Sequence, residues 1–131
     1  MDDVLLNKAA IIERCWRRIA EEYGADASRL ADFTRQDAII LNLERACQAA
    51  IDAAMHVVAR EHLGVPQSSA QTFDLLRAAG RIDSRLAGRL RAMVGFRNVA
   101  IHQYQDLNID ILRRIIEGGR SAARTSLSVP D

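Results

Sequence analysis

Aromatic residues are scarce in this chain: one tryptophan, two tyrosines and three phenylalanines among 131 residues. Basic patches interleaved with aromatics, which stack nucleic-acid bases, are therefore absent, and sequence-specific base stacking is not indicated. Cysteine is scarcer still. Cys15 and Cys47 cannot build a disulfide framework, and each sits in a helical pattern beside small or apolar neighbours. Both read as buried free thiols in a reducing cytoplasm. Only two prolines and seven glycines punctuate the chain, so long helices are permitted. No apolar run approaches the roughly 18 residues of a membrane span, and no basic region followed by an apolar stretch opens the chain. A cytoplasmic protein without a membrane segment is expected.

Several chemistries lack their residues. His56 and His62 are six apart and the two cysteines lie far apart, so no zinc-ligand spacing exists and no metal is expected. Neither glycine-containing stretch, 64–69 or 118–119, matches a phosphate-binding loop, and no serine sits in a nucleophile elbow; no cofactor is implied. What is present is a globular balance, 49% apolar and 27% charged, at a length that suits one domain over residues 1–131. The net charge of +1 conceals a partition. Residues 1–76 carry eight basic and twelve acidic groups, net −4. Residues 77–105 carry six arginines against the single acid Asp83, net +5, and residues 106–131 balance four against four. The basic segment favours a polyanionic ligand.

Apolar periodicity organises the chain into helices, with no alternating strand pattern of useful length. Leu5, Ala9, Ile12, Trp16, Ile19 and Tyr23 form a stripe on a first helix that follows Asp2 and Asp3 and stops at Gly24. Ala25 to Phe33 reads as a connector. A second helix is predicted from Arg35 to Leu63, capped by Thr34 and roughly 43 Å long. Ala46, Cys47, Ala49, Ala50, Ala53 and Ala54 make it slender, and Arg45, Gln48, Asp52 and His56 give it one polar stripe, either solvated or the wall of a cleft or subunit contact. Ser68 with Gln71 signals a capping box for a third helix ending at Gly80. Asp83 caps a fourth helix with Leu86, Leu90 and Met93 facing inward. Asn108 caps a fifth with Ile109, Leu112 and Ile116, and residues 121–131 are expected to form a frayed tail. The expected fold class is all-α, a single-domain up-and-down bundle of about five helices.

One residue breaks this order. The line Leu86, Leu90, Met93 continues at the next step onto Arg97. A guanidinium on a core-facing line must find anions or reach a cleft, because burying it unpaired is expensive. A structural ion pair with Glu44 or Asp52 would satisfy it. His102 follows by five residues, about 500° of continuous helix, so the two side chains diverge by roughly 140°. They converge only if the helix ends or bends between them, or if they meet across a subunit boundary. A histidine near a helix end also suits a cap, and Tyr104 just beyond also suits packing against a neighbour. Arg85, Arg89 and Arg91 lie in the same basic segment, as contacts to the backbone of a polyanionic ligand or as plain solvated surface.

The string Arg97-Asn98-Val99-Ala100-Ile101-His102-Gln103-Tyr104 resembles the Arg-x4-His-x-Tyr signature of the HEPN superfamily, most closely the HepT-type toxins of HepT–MntA toxin–antitoxin pairs. The likeness extends to the opening helix, the alanine-rich second helix and the turn at 64–69; Gly118-Gly119 departs from the longer closing helix of those toxins. The resemblance implies metal-independent RNA cleavage by a homodimer with a shared cleft. Arg97 and His102 would be catalytic, with Asn98 supporting them. A cognate MntA-type nucleotidyltransferase antitoxin would silence the toxin by AMPylating Tyr104. The chemistry is consistent with the residues: His102 can carry protons near neutral pH, and Arg97 can offer a fork to phosphate oxygens. Alternatives are a non-catalytic HEPN module that binds a nucleotidyltransferase or nucleotide, and a dimeric bundle with no active site.

Overall fold

A computed structural model describes residues 2–102 and 112–118. Four α-helices run in order: α1 (Asp3–Tyr23), α2 (Phe33–Arg60), α3 (Ser69–Ala78) and α4 (Ser84–His102), with a 3-10 turn at Ala27–Ala31 between the first two. Residues 112–118 are also helical, and no strand occurs among the described residues. The all-α expectation holds. Asn108 and Ile109 lie outside the described residues, as does the tail at 121–131.

The first helix begins and ends as expected. The Asp2 carboxylate accepts from the amides of Val4 and Leu5, and Gly24 closes the helix at φ 58°, in the left-handed region that glycine adopts freely. The second helix differs from its expected bounds at both ends. Asp32, not Thr34, supplies the cap, accepting from the Thr34 amide at 2.9 Å and the Arg35 amide at 3.3 Å. The helix ends at Arg60 rather than Leu63, because His62 takes a left-handed φ of 54°. The amides of His62 and Leu63 then reach back to the carbonyls of Ala59 and Val58, the paired bonds of a Schellman ending. Leu63 is thereby turned onto the core.

The third helix is capped by Ser68, whose hydroxyl accepts from the Gln71 amide at 3.1 Å. The reciprocal half of the box is shifted by one: the Gln71 side chain takes the amide of Gln67. Gly80 closes this helix with the same Schellman pairing, Gly80 to Arg77 and Arg81 to Leu76. Asp83 caps α4 through the Leu86 amide at 2.7 Å. The expected inward line on α4 is displaced: Leu86, Leu90 and Met93 are only half-buried, while Ala87, Val94 and Phe96 are buried. The reason is that α4 packs on two sides, so no single stripe suffices.

Those two sides belong to two core clusters. One gathers Ile19, Tyr23, Leu30, Ile39, Leu43 and Phe96 with Leu112 and Ile116. The other gathers Ile51, Ala54, Val58, Phe73, Leu76 and Val94. Along α2 the clusters part at the small residues Ala46, Cys47 and Ala49, which are themselves buried. Arg97 sits at that division.

Candidate active site

Arg97 leaves α4 one residue after the buried Phe96 and reaches the middle of α2, where the slender residues let the helices approach. Its Nη1 donates to Oε1 of Gln48 at 2.8 Å, and its Nη2 donates to Oδ1 of Asn98 at 3.3 Å. The side chain is half-buried, and its Nε is buried without a hydrogen-bond partner among the described residues. A guanidinium has five N–H donors, so three are left by these two bonds. Both partners are neutral amides. Among the described residues the positive charge is held in place but not cancelled.

One alternative left open by the sequence, a structural ion pair of Arg97 with Glu44 or Asp52, is not what the structure shows. Among the described residues Arg97 makes no ion pair, and it reaches Asp52 only through Gln48, whose Nε2 donates to Asp52 Oδ1 at 2.8 Å. Asp52 is in turn paired with Lys8 of α1 at 3.5 Å. Gln48 belongs to the polar stripe of α2, but the sequence carries no sign of which stripe residue the off-pattern arginine meets. Farther along, His56 of that stripe bonds Asp2 at 2.6 Å, with Arg60 on the same carboxylate oxygen. The stripe is a seam to α1 and α4.

The remaining candidates fall into three groups. Asn98 is exposed beside Arg97. His102 is the last residue of α4, which does not end between positions 97 and 102; its side chain lies outside what is described. Tyr104 lies outside the described residues. Arg85, Arg89 and Arg91 are all exposed. They do not share a face, since Arg91 is about 160° around the helix from Arg89. Arg91 is paired with Asp74 of α3 at 3.6 Å. It lines a shallow groove of about 390 Å³ with Ala70, Gly88, Gly95 and Asn98.

Cysteine chemistry does not enter. Cys47 lies against the site, its Sγ 3.8 Å from the Met93 carbonyl oxygen, but burial pushes its thiol up to about 12, and the nearby Arg97 cation offsets this only in part. Burial also raises the Cys15 thiol. Both cysteines are free and buried. Among the described residues no group of three or more His, Cys, Asp or Glu side chains could hold a metal ion, and no helix is long and apolar enough to cross a membrane.

A family model described as ribonuclease HepT-like matches residues 11–124. The mRNA nuclease HepT of Shewanella oneidensis is 45% identical over 117 residues, covering 89% of this chain and 88% of that protein. Among solved structures, a tri-AMPylated Shewanella oneidensis HEPN toxin in complex with an MNT antitoxin superimposes with a TM-score of 0.90 at 44% identity, over 95% of this chain and 94% of that one. A toxin–antitoxin structure with AMP-PNP also gives a TM-score of 0.90, at 42% identity and with the same coverage. Matched along nearly its whole length in sequence and fold, the chain belongs to the HepT-like ribonuclease family and has the HEPN toxin fold.

Proposed function

We propose that this protein is the ribonuclease toxin of a toxin–antitoxin pair, cutting RNA without a metal ion and acting in the cytoplasm as a homodimer. The observation that carries this reading is the Arg97 guanidinium, fixed by two amides and left cationic with donors to spare. Such a fork suits the nonbridging oxygens of a phosphodiester, where charge accumulates as the ribose 2′-OH attacks. That attack forms the bond from O2′ to phosphorus and breaks the bond to the 5′-oxygen. One proton leaves the 2′-OH and one reaches the departing oxygen, giving a 2′,3′-cyclic phosphate and a 5′-OH. His102 serves as the proton carrier in both directions. Asn98 steadies Arg97, while Arg85, Arg89 and Arg91 guide the RNA backbone.

The unbroken course of α4 supports the dimer. No helix end falls between positions 97 and 102, so on a straight α4 their side chains diverge, an arrangement that suits an arginine and a histidine meeting across a subunit boundary. Control follows the relatives. The Shewanella toxin structure is tri-AMPylated and bound to its MNT antitoxin. Here the acceptor is Tyr104 and the partner a nucleotidyltransferase of the MntA type. Each added AMP brings a negatively charged phosphodiester, which would compete with RNA for Arg97.

The test is incubation of the purified protein with total RNA and with tRNA, with and without EDTA. Cleavage is expected in both conditions, and is lost in Arg97→Ala and His102→Ala. With the partner, ATP and Mg²⁺, mass spectrometry should show adenylyl additions that Tyr104→Phe prevents. A folded protein that binds the nucleotidyltransferase but cuts no RNA is the silent module instead.

A further inference from the structure

We propose that Gln48 is the positioning residue for Arg97, setting its guanidinium at the angle catalysis requires while leaving its charge available to RNA. The inference rests on the ribonuclease reading of Arg97 and adds a residue outside the motif. The argument is one of donors and acceptors. Asp52 can only accept, and it takes the Lys8 ammonium on Oδ2 and the Gln48 amide nitrogen on Oδ1. The Gln48 amide therefore cannot turn over: its nitrogen is committed to Asp52, and its oxygen must face Arg97, which it meets at 2.8 Å. An amide fixed in this way reports the carboxylate's position to the guanidinium across two helices without passing on its charge.

The choice of side chain matters because nearby alternatives fail in opposite ways. Glutamate here would grip Arg97 as firmly but neutralise it and oppose Asp52. Methionine would match the length and helix preference of glutamine but offer no comparable acceptor. Gln48 is exposed, so neither substitution disturbs the buried core.

The experiment follows the Arg97 side-chain nitrogens by NMR in arginine-labelled full-length protein, with inorganic phosphate as the probe, alongside steady-state RNA cleavage. In the parent, rotation about the Cζ–Nη1 bond should be slow and phosphate should shift the Nε–H signal. Gln48→Met should free that rotation and lower kcat roughly 10- to 100-fold with KM near the parental value. Gln48→Glu should keep the rotation slow, abolish the phosphate shift and raise KM, with the salt dependence of RNA binding lowered by about 0.7 in log–log slope, one phosphate contact. Unchanged Arg97 signals in Gln48→Met, or parental kcat in that variant, overturns the proposal. If the parent itself cuts no RNA, the ribonuclease reading falls. The phosphate shift and rotation of Arg97 then still decide whether Gln48 positions it.

Discussion

Two of the places where the polar stripe of α2 meets the rest of the molecule lie two helical turns apart and treat charge in opposite ways. At His56 and Arg60 it closes on the Asp2 carboxylate, which takes His56 Nε2 at 2.6 Å and the Arg60 guanidinium on the same oxygen. Nearby, Glu61 takes Arg60 at 3.6 Å and also Arg81, from the turn before α4. Every charge at that corner has an opposite beside it. At Gln48 the stripe meets a cation and answers with an amide. Charges that cancel make a clasp between chain segments; a charge held by neutral donors and acceptors is kept for something that arrives later. On the proposed reading, the contrast separates structural from functional polarity on one helix.

The contrast breaks most clearly at Arg97. Arg97→Ala should cost RNA cleavage a factor of roughly 10² or more, since it removes charge stabilisation at the phosphate. Its melting temperature should stay close to the parental one, because only two bonds to exposed amides are lost. A large fall in melting temperature would make this corner structural as well. Asp2→Ala should do the reverse, removing both the α1 cap and the clasp. Circular dichroism should show melting lowered by several degrees, with kcat unchanged.

Acid sharpens the same comparison. Hydrogen bonding to His56, with the Val4 and Leu5 amides, holds the Asp2 carboxyl at about 2 against an ordinary 3.8. A carboxyl depressed in the folded state stabilises it above the unfolded value, and that contribution disappears as pH falls. The stability gap between the parent and Asp2→Asn, which can still cap α1, should therefore be full above pH 3.8 and close towards pH 2. No such gap should separate Gln48→Met from the parent. The smallest effects concern the surface arginines. Arg85→Ala and Arg89→Ala should each lower the salt slope of RNA binding by about 0.7 if each meets a phosphate. Arg91→Ala should lower it less, since its guanidinium is already shared with Asp74.

Helix identity was legible in the sequence wherever periodicity and caps agreed. The Gly24 stop, the Ser68 cap and the Asp83 cap all stand as read. The bounds of α2 moved at both ends: Asp32 capped it ahead of Thr34, and His62, left-handed at φ 54°, ended it ahead of Leu63. The inward face of α4 misled because a helix packed on two sides shows no single stripe, and Leu86 and Met93 marked its edges. Arg97 was recognisable as off-pattern, and the motif around it carried the family. Its true partner was not, because a stripe of polar residues carries no sign of which one a distant helix will touch. A carboxylate is the natural guess for an arginine, and here the pairing passes through an amide first.

The division of the core at Ala46, Cys47 and Ala49 has a consequence for how the molecule opens. Among the described residues only α2 and α4 contribute to both clusters, whereas α1 and residues 112–118 serve one and α3 the other. Amide hydrogens of α3 and of α1 should therefore exchange as two separate cooperative units, each with its own opening free energy. The bridge from Arg97 to Gln48 spans the two shared helices and belongs to neither unit. Breathing of α3, or undocking along α1, would leave the guanidinium where it is.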